Sequence, residues 1–276
     1  MEREKVTIQY LQKKKAKRQK ISMLTAYDYP MAKLIDDAGV DIILVGDSLG
    51  MVVLGYDSTL HVTMEDMIRH SQAARRGTKS AFLVGDMPYK SYENKADAVR
   101  NAKRFIEEAG CDAVKLEGGT ESLEAAGAII SSSIQVMGHL GLTPQSIEKL
   151  GGYKVQGKTA EAARLIIEDA KKLEEIGCFS LVLECIPSEI AKIITSELDI
   201  PTIGIGAGKD CDGQVLVTND MVGLFDRFLP KFAKRYVNLS DKIMEAISTY
   251  KKEVEEGAFP APEHEFTIKK EELEKI

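Results

Sequence analysis

The sequence contains no run of about 18 apolar residues, so no transmembrane helix is expected. It does not open on an apolar stretch either. Residues 1–5 are charged, and no secretory leader is expected. Positive charge is not in excess: the formal net charge is −6, which speaks against a nucleic-acid surface. The one basic run, residues 13–20 interrupted by Ala16 and Gln19, reads as a solvated surface segment. No C-x-x-C pair occurs among Cys111, Cys178, Cys185 and Cys211, which weakens zinc and thioredoxin-like readings. Cys111 and Cys178 each follow a glycine at the start of an apolar run, where a buried thiol is expected. Together these features fit a reduced, cytoplasmic compartment. There is no P-loop and no serine nucleophile elbow. Gly204-Ile205-Gly206-Ala207-Gly208 resembles a dinucleotide fingerprint, but the turn-like Lys209-Asp210-Cys211-Asp212-Gly213 follows it and no helix does.

What the sequence does contain is an alternation of short β-rich runs with longer helical ones, the pattern of βα units on a parallel sheet. Strands are expected at 21–26, 41–46, 81–85, 112–116, 134–137, 180–183, 202–205 and 215–217. Helices are expected from Pro30 to Gly39, and at 64–76, 95–109, 121–131, 160–176, after Pro187, and through 231–256. Thr63 and Thr159 read as N-caps. The chain has 276 residues, close to the roughly 250 of a (β/α)8 barrel. The expectation is an α/β fold, a single (β/α)8 TIM-barrel domain over 1–276. It has a short N-terminal helix and basic linker (1–20), a glycine-rich insertion (141–158), a helical C-terminal extension and a peripheral tail (257–276). Two echoes, Leu44-Val45-Gly46-Asp47 with Leu83-Val84-Gly85-Asp86, and Ala38-Gly39-Val40-Asp41 with Ala109-Gly110-Cys111-Asp112, fit equivalent units.

Four expected strands run into acids: Asp47, Asp86, Glu117 and Glu184. In such a barrel the strand C-termini surround one mouth, where active sites lie. Lys115 and Glu117 are two apart and point to one side, as do Val45 with Asp47 and Val84 with Asp86. Unpaired carboxylates near apolar strands are costly, and a metal ion offsets that cost. Hard oxygen ligands without a His/Cys cluster favour Mg2+ over Zn2+. His139, just past a strand, is either a polar neighbour of the substrate or a structural histidine. A lysine in an apolar strand also leaves open a structural Lys115–Glu117 pair, or a Schiff-base nucleophile.

The chain resembles the ketopantoate hydroxymethyltransferase family. The segments that carry this are Thr25-Ala26-Tyr27-Asp28-Tyr29, Val45-Gly46-Asp47-Ser48-Leu49-Gly50, Val114-Lys115-Leu116-Glu117-Gly118-Gly119 and Gly138-His139-Leu140-Gly141-Leu142-Thr143-Pro144-Gln145. Gly151-Gly152-Tyr153-Lys154-Val155-Gln156-Gly157, Leu183-Glu184-Cys185 and the Gly204 to Gly208 segment follow in family order. The chain departs from the family pattern at His61, where proline is usual, and at Asn219, where histidine is common. The resemblance implies one Mg2+ per subunit, 5,10-methylenetetrahydrofolate as co-substrate with a small 2-oxo acid, and a homo-oligomer, usually a decamer. It further implies metal ligation by Asp47, Asp86 and Glu117, and substrate contacts from Asp47, Ser48, Asp86, Lys115 and His139. Glu184 is implied as the catalytic base. Neither nucleic acid nor membrane is an expected partner. Three other readings stand beside it: a carbon–carbon lyase or mutase of the isocitrate lyase group, a lysine Schiff-base aldolase, and a non-catalytic metabolite-binding barrel.

Overall fold

The computed structural model describes residues 3–146, 152 and 154–276. The chain begins with α1 (Ile8–Ala16), whose N-cap Thr7 accepts from the Tyr10 N–H. β1 (Ile21–Thr25), α2 (Tyr29–Asp37), β2 (Ile42–Val45), α3 (Leu49–Val52) and α4 (Met64–Gly77) follow. Next come β3 (Phe82–Asp86), α5 (Lys95–Glu107), β4 (Ala113–Glu117), α6 (Leu123–Ser131) and β5 (Val136–Gly141). Then α7 (Ala160–Glu175), β6 (Ser180–Glu184), α8 (Ser188–Glu197), β7 (Thr202–Ile205) and β8 (Gly213–Leu216) complete the ring. α9 (Thr218–Val222), α10 (Leu239–Glu255) and α11 (Lys270–Leu273) end the chain. The strands close in sequence order as a parallel barrel, with β1 paired to both β2 and β8. This is the (β/α)8 fold. No helix among the described residues is long and apolar enough to cross a membrane.

Two apolar layers follow from strand alternation. The inner one fills the barrel with Met23, Ile42, Leu44, Phe82, Val84 and their neighbours, with Phe82 and Phe179 meeting edge to face at 5.4 Å. The outer one holds the alternate residues, such as Ile43, Val45 and Leu83, against the helices. The helix starts follow their caps: Thr63 and Asp66 form a reciprocal capping box on α4, and Thr159 caps α7. Closure depends on Gly213, where a Cβ would stand 2.5 Å from the Ile21 carbonyl oxygen. β8 starts at Gly213, earlier than the expected 215–217, because glycine is a poor strand former by type and masks the start in the sequence.

Most of the basic segment is exposed, as expected, but Lys14 and Lys15 are half-buried and paired. Lys14 pairs with Asp41 at 2.7 Å, and Lys15 pairs with Asp212 at 2.7 Å. Lys20 donates to the carbonyls of Lys209 and Cys211. Leu11 is 1% exposed and packs with Val6 in the inner layer. α1 is therefore a plug over the N-terminal end of the barrel. Its lysines reach aspartates that already accept backbone N–H groups: Asp41 from Ser22 and Asp212 from Thr202. Charge sequence alone does not reveal partners that come from distant strand starts.

Other boundaries also move. β5 runs on through Gly138, so His139 lies within a strand and not past one. Val45 belongs to the outer layer, while Asp47, beyond the strand end, faces the mouth, so the two do not share a side. Helix covers only 239–255 of the expected 231–256. The segment before it spends a backbone donor elsewhere: Tyr236 N–H goes to Met221 O. The short α3 and α9 were not expected, and part of the 141–158 insertion lies outside the described residues. No residue from Leu239 onward is buried.

Candidate active site

Strand register brings the polar residues together. Asp86 at the end of β3 is level with Lys115 on β4, Glu117 is level with His139 on β5, and Gly141 is level with Glu184 on β6. Gly141 has φ +97°, and a Cβ there would lie 2.1 Å from the Glu184 carbonyl oxygen, so only glycine permits this approach. Cys185, immediately after Glu184, holds a left-handed φ of 48°. That conformation costs about 1–2 kcal/mol for a residue with a Cβ. It is held by hydrogen bonds from Cys185 N–H to Ile205 O and from Gln156 N–H to Cys185 O.

Lys115 is buried at the centre. Its Nζ lies 2.8 Å from Asp86 Oδ1, 3.2 Å from His139 Nδ1 and 3.8 Å from Glu117 Oε1. The contact with Asp86 is an ion pair without an aligned hydrogen bond, and Oδ1 has no hydrogen-bond partner among the described residues. His139 lies between two carboxylates, with Nδ1 3.4 Å from Glu117 Oε1 and Nε2 3.1 Å from Glu184 Oε2. Asp47 N–H donates to Asp86 Oδ2 at 3.1 Å, so the two aspartates adjoin. Ser48 Oγ shares a hydrogen bond with Tyr27 OH at 2.9 Å.

The electrostatics divide the acids into two kinds. Burial raises the carboxyl pKa of Asp47 well above its ordinary range, and the charges of Asp86 and Glu117 push it further. Burial also raises Asp86, against the opposing pull of Lys115. Glu117 is shifted downward: burial opposes its charge, but His139, Lys115 and the Gln145 N–H outweigh it. Burial lowers Lys115, yet the surrounding carboxylates win and hold its ammonium above the ordinary range. His139 is pushed up to about 9; burial and Lys115 work against the charged ring, and Glu117 and Glu184 prevail. Asp47, Asp86 and Glu117 do not form a ready three-ligand cluster. Among the described residues no group of three or more such side chains is set to hold one ion.

Two cavities open at the mouth. An inner one of about 60 Å³ is lined by Asp86, Lys115, Glu117 and His139. An outer one of about 390 Å³ has largely apolar walls. Asp47, Ser48, Pro144, Glu184, Ile205 and Val217 line both.

A family model described as ketopantoate hydroxymethyltransferase matches residues 5–262. The chain belongs to that family. It is thus an enzyme, a transferase, and the degenerate-barrel reading falls away. A 3-methyl-2-oxobutanoate hydroxymethyltransferase of Syntrophomonas wolfei subsp. wolfei is 58% identical over 273 residues, 99% of each chain. One of Desulfotalea psychrophila is 59% identical over 254 residues, covering 92% of this chain and 91% of that protein. Among solved structures, a phosphonopyruvate hydrolase complexed with oxalate and Mg2+ superposes with TM-score 0.61 at 12% identity, covering 95% of this chain and 92% of its own. A 2,3-dimethylmalate lyase of the PEP mutase/isocitrate lyase superfamily gives 0.59 at 13%, covering 94% and 88%. At such identities the likeness is one of fold, so it does not revive the lyase reading.

Family membership leaves the role of Lys115 to the electrostatics. A Schiff-base lysine must lose its proton, and the carboxylates around Lys115 hold that proton on. Two residues singled out by no sequence argument complete the site. Gln145 donates from Nε2 to Asp47 Oδ2 at 2.9 Å and to Met87 O at 3.0 Å. Tyr92 OH donates to Gln145 Oε1 at 2.7 Å. Gln145 stood within a matching segment, so the signal was present; Tyr92 carried none.

Proposed function

We propose that this chain transfers a hydroxymethyl group from 5,10-methylenetetrahydrofolate to 3-methyl-2-oxobutanoate, giving 2-dehydropantoate for pantothenate synthesis in the cytoplasm. The observation that carries the reading is Glu184. The residue lines both cavities and its carboxylate sits 3.1 Å from His139 Nε2, at the wall shared by a small chamber lined by Asp86, Lys115, Glu117 and His139 and a larger apolar one. Two substrates of unequal size and polarity suit such a pair of chambers.

The keto acid would occupy the inner chamber, its oxygens near the Lys115 ammonium, which offsets negative charge growing there. Glu184 would take the proton from C3, leaving the carbon electron-rich. That carbon forms the bond to the methylene carbon of the folate; water supplies the hydroxyl and tetrahydrofolate leaves. His139 would hold the Glu184 carboxylate in place through Nε2.

Asp47 and Asp86 fit a hard divalent cation, because both are pushed toward protonation and Asp86 Oδ1 meets the Lys115 ammonium at 2.8 Å without an aligned hydrogen bond. Bound there, Mg2+ supplies Lewis-acid stabilisation of charge on the substrate oxygens. Glu117 is occupied by Lys115, His139 and the Gln145 N–H, so a holding role for that lysine suits it better than ligation. The chain would work as a homo-oligomer; α10 carries Ile243, Ile247, Tyr250 and Val254 exposed on one face, and none of its residues is buried.

The test is C3 proton exchange of 3-methyl-2-oxobutanoate in D2O, followed by NMR with and without EDTA. Glu184→Gln should bind the keto acid but lose exchange by roughly two to four orders of magnitude. Exchange at the wild-type rate in that variant would remove Glu184 from the role.

A further inference from the structure

The outer cavity contains a buried carboxylate that the chemistry above does not use. Asp220, on α9, lines the cavity and is only 6% exposed. Its Oδ1 is buried and has no hydrogen-bond partner among the described residues. A desolvated acceptor without a donor is costly, so a ligand that brings donors is favoured there. Burial raises this carboxyl to about 6, with Arg235 acting against the rise. Its position is fixed by the turn that carries it. Thr218 Oγ1 donates to Thr25 O, Thr218 N–H donates to Thr25 Oγ1, and Asp220 N–H donates to Val217 O.

The rest of the cavity selects the shape of a ligand. Phe225, Phe228 and Phe232 line it with Val52, and aromatic faces suit a flat ring system. The exposed Lys154 and Lys231 line it too, and they suit anionic groups on the far end of the same molecule. A flat head with paired N–H donors and an acidic tail matches all three features.

We propose that this cavity seats the pterin of tetrahydrofolate, with Asp220 accepting hydrogen bonds from the 2-amino group and N3–H of the pyrimidinone ring. Two parallel N–H donors on a carboxylate form a charge-assisted pair that fixes orientation as well as affinity. The glutamate tail runs out toward Lys154 and Lys231. The reactive nitrogens of the folate then face Glu184, which lines both cavities. The inference rests on the hydroxymethyltransferase reading and adds the location and recognition of its co-substrate.

The experiment is equilibrium binding of tetrahydrofolate, and of an analogue without the 2-amino group, to the wild-type enzyme and to Asp220→Asn. The wild type should prefer tetrahydrofolate by roughly tenfold or more, the range for a hydrogen bond to a charged group. Asp220→Asn should bind tetrahydrofolate more weakly by a similar factor and lose most of the preference. Equal affinity of the wild type for the two ligands, or unchanged preference in the variant, would overturn the inference. The wild-type comparison needs no variant, so a folding defect in Asp220→Asn does not rescue the idea. C3 proton exchange on the wild type separates the two claims. Exchange together with tetrahydrofolate binding that ignores the 2-amino group sinks only the pterin site. A wild type with neither exchange nor tetrahydrofolate binding sinks the transferase reading and this inference together.

Discussion

Nε2 of His139 stands 3.1 Å from Oε2 of Glu184, although the two residues come from separate strands and lie far apart in the chain. β6 is paired with β5 along its whole length, with Gly141 level with Glu184, so the distance is set by the barrel and not by a mobile loop.

Together with the contact to Glu117, this contact makes the stability of the fold depend on pH in a definite direction. The imidazole of His139 is raised from its ordinary 6.5 to about 9. Its charge therefore favours the folded state fully below about 6.5, and the benefit is lost as the pH rises through about 9. Urea unfolding of the wild type and of His139→Gln should differ most near pH 6 and converge by about pH 10. A difference that grew with pH would show that the ring is neutral in the fold.

Asp47 and Asp86 add to the same loss of stability with rising pH, because in them the charged form is the one the fold disfavours. Both carboxyls are raised, so in the absence of a cation their ionisation costs stability at neutral pH. Mg2+ should raise the melting temperature of the wild type by about a few degrees relative to EDTA, as binding to the folded state alone requires. Asp47→Asn should melt higher than the wild type in EDTA and gain less from Mg2+. Equal gains in both proteins would rule Asp47 out of cation binding.

Leu11 tests the far end of the barrel. Truncating a fully buried leucine typically costs about 2–5 kcal/mol, and Leu11 is 1% exposed in the plug. Leu11→Ala should lower the melting temperature, while below that temperature its turnover per folded molecule stays near the wild-type value. Loss of turnover in the folded variant would mean that the plug reaches the mouth.

The exposed face of α10 concerns assembly. A helix with no buried residue is marginal by itself in water. If a second copy covers the face, Ile247→Glu should reduce the mass found by light scattering. An unchanged mass would place the contact elsewhere.

Most of the fold was readable in the sequence because parallel strands covered on both faces are apolar runs separated by amphipathic helices. The acids at the strand ends were readable for a related reason: Asp86, Glu117 and Glu184 interrupt such runs at the same place. What was hidden depended on contacts across the chain. The partners of Lys14 and Lys15 lie at the starts of β2 and β8, and nothing near the lysines marks them. β8 was misplaced because its glycine is required by the Ile21 backbone opposite, a steric fact with no local signature. Gln145 stood in a family segment, but its role shows only when Asp47 and Tyr92 are seen to bracket it; Tyr92 itself carried no signal. The division of the acids into raised and lowered pKa values was also out of reach, since it depends on which carboxylate Lys115 and His139 approach.

The ion pair between Lys15 and Asp212 spans 197 positions. During synthesis the ribosome releases α1 early and the start of β8 late. Throughout that interval the plug helix has no complete seat, and Leu11 has no barrel interior to enter. Docking of α1 and closure of β8 against β1 therefore belong to one late event. A fluorescent label beside Leu11 would report when the newly made chain becomes a ring.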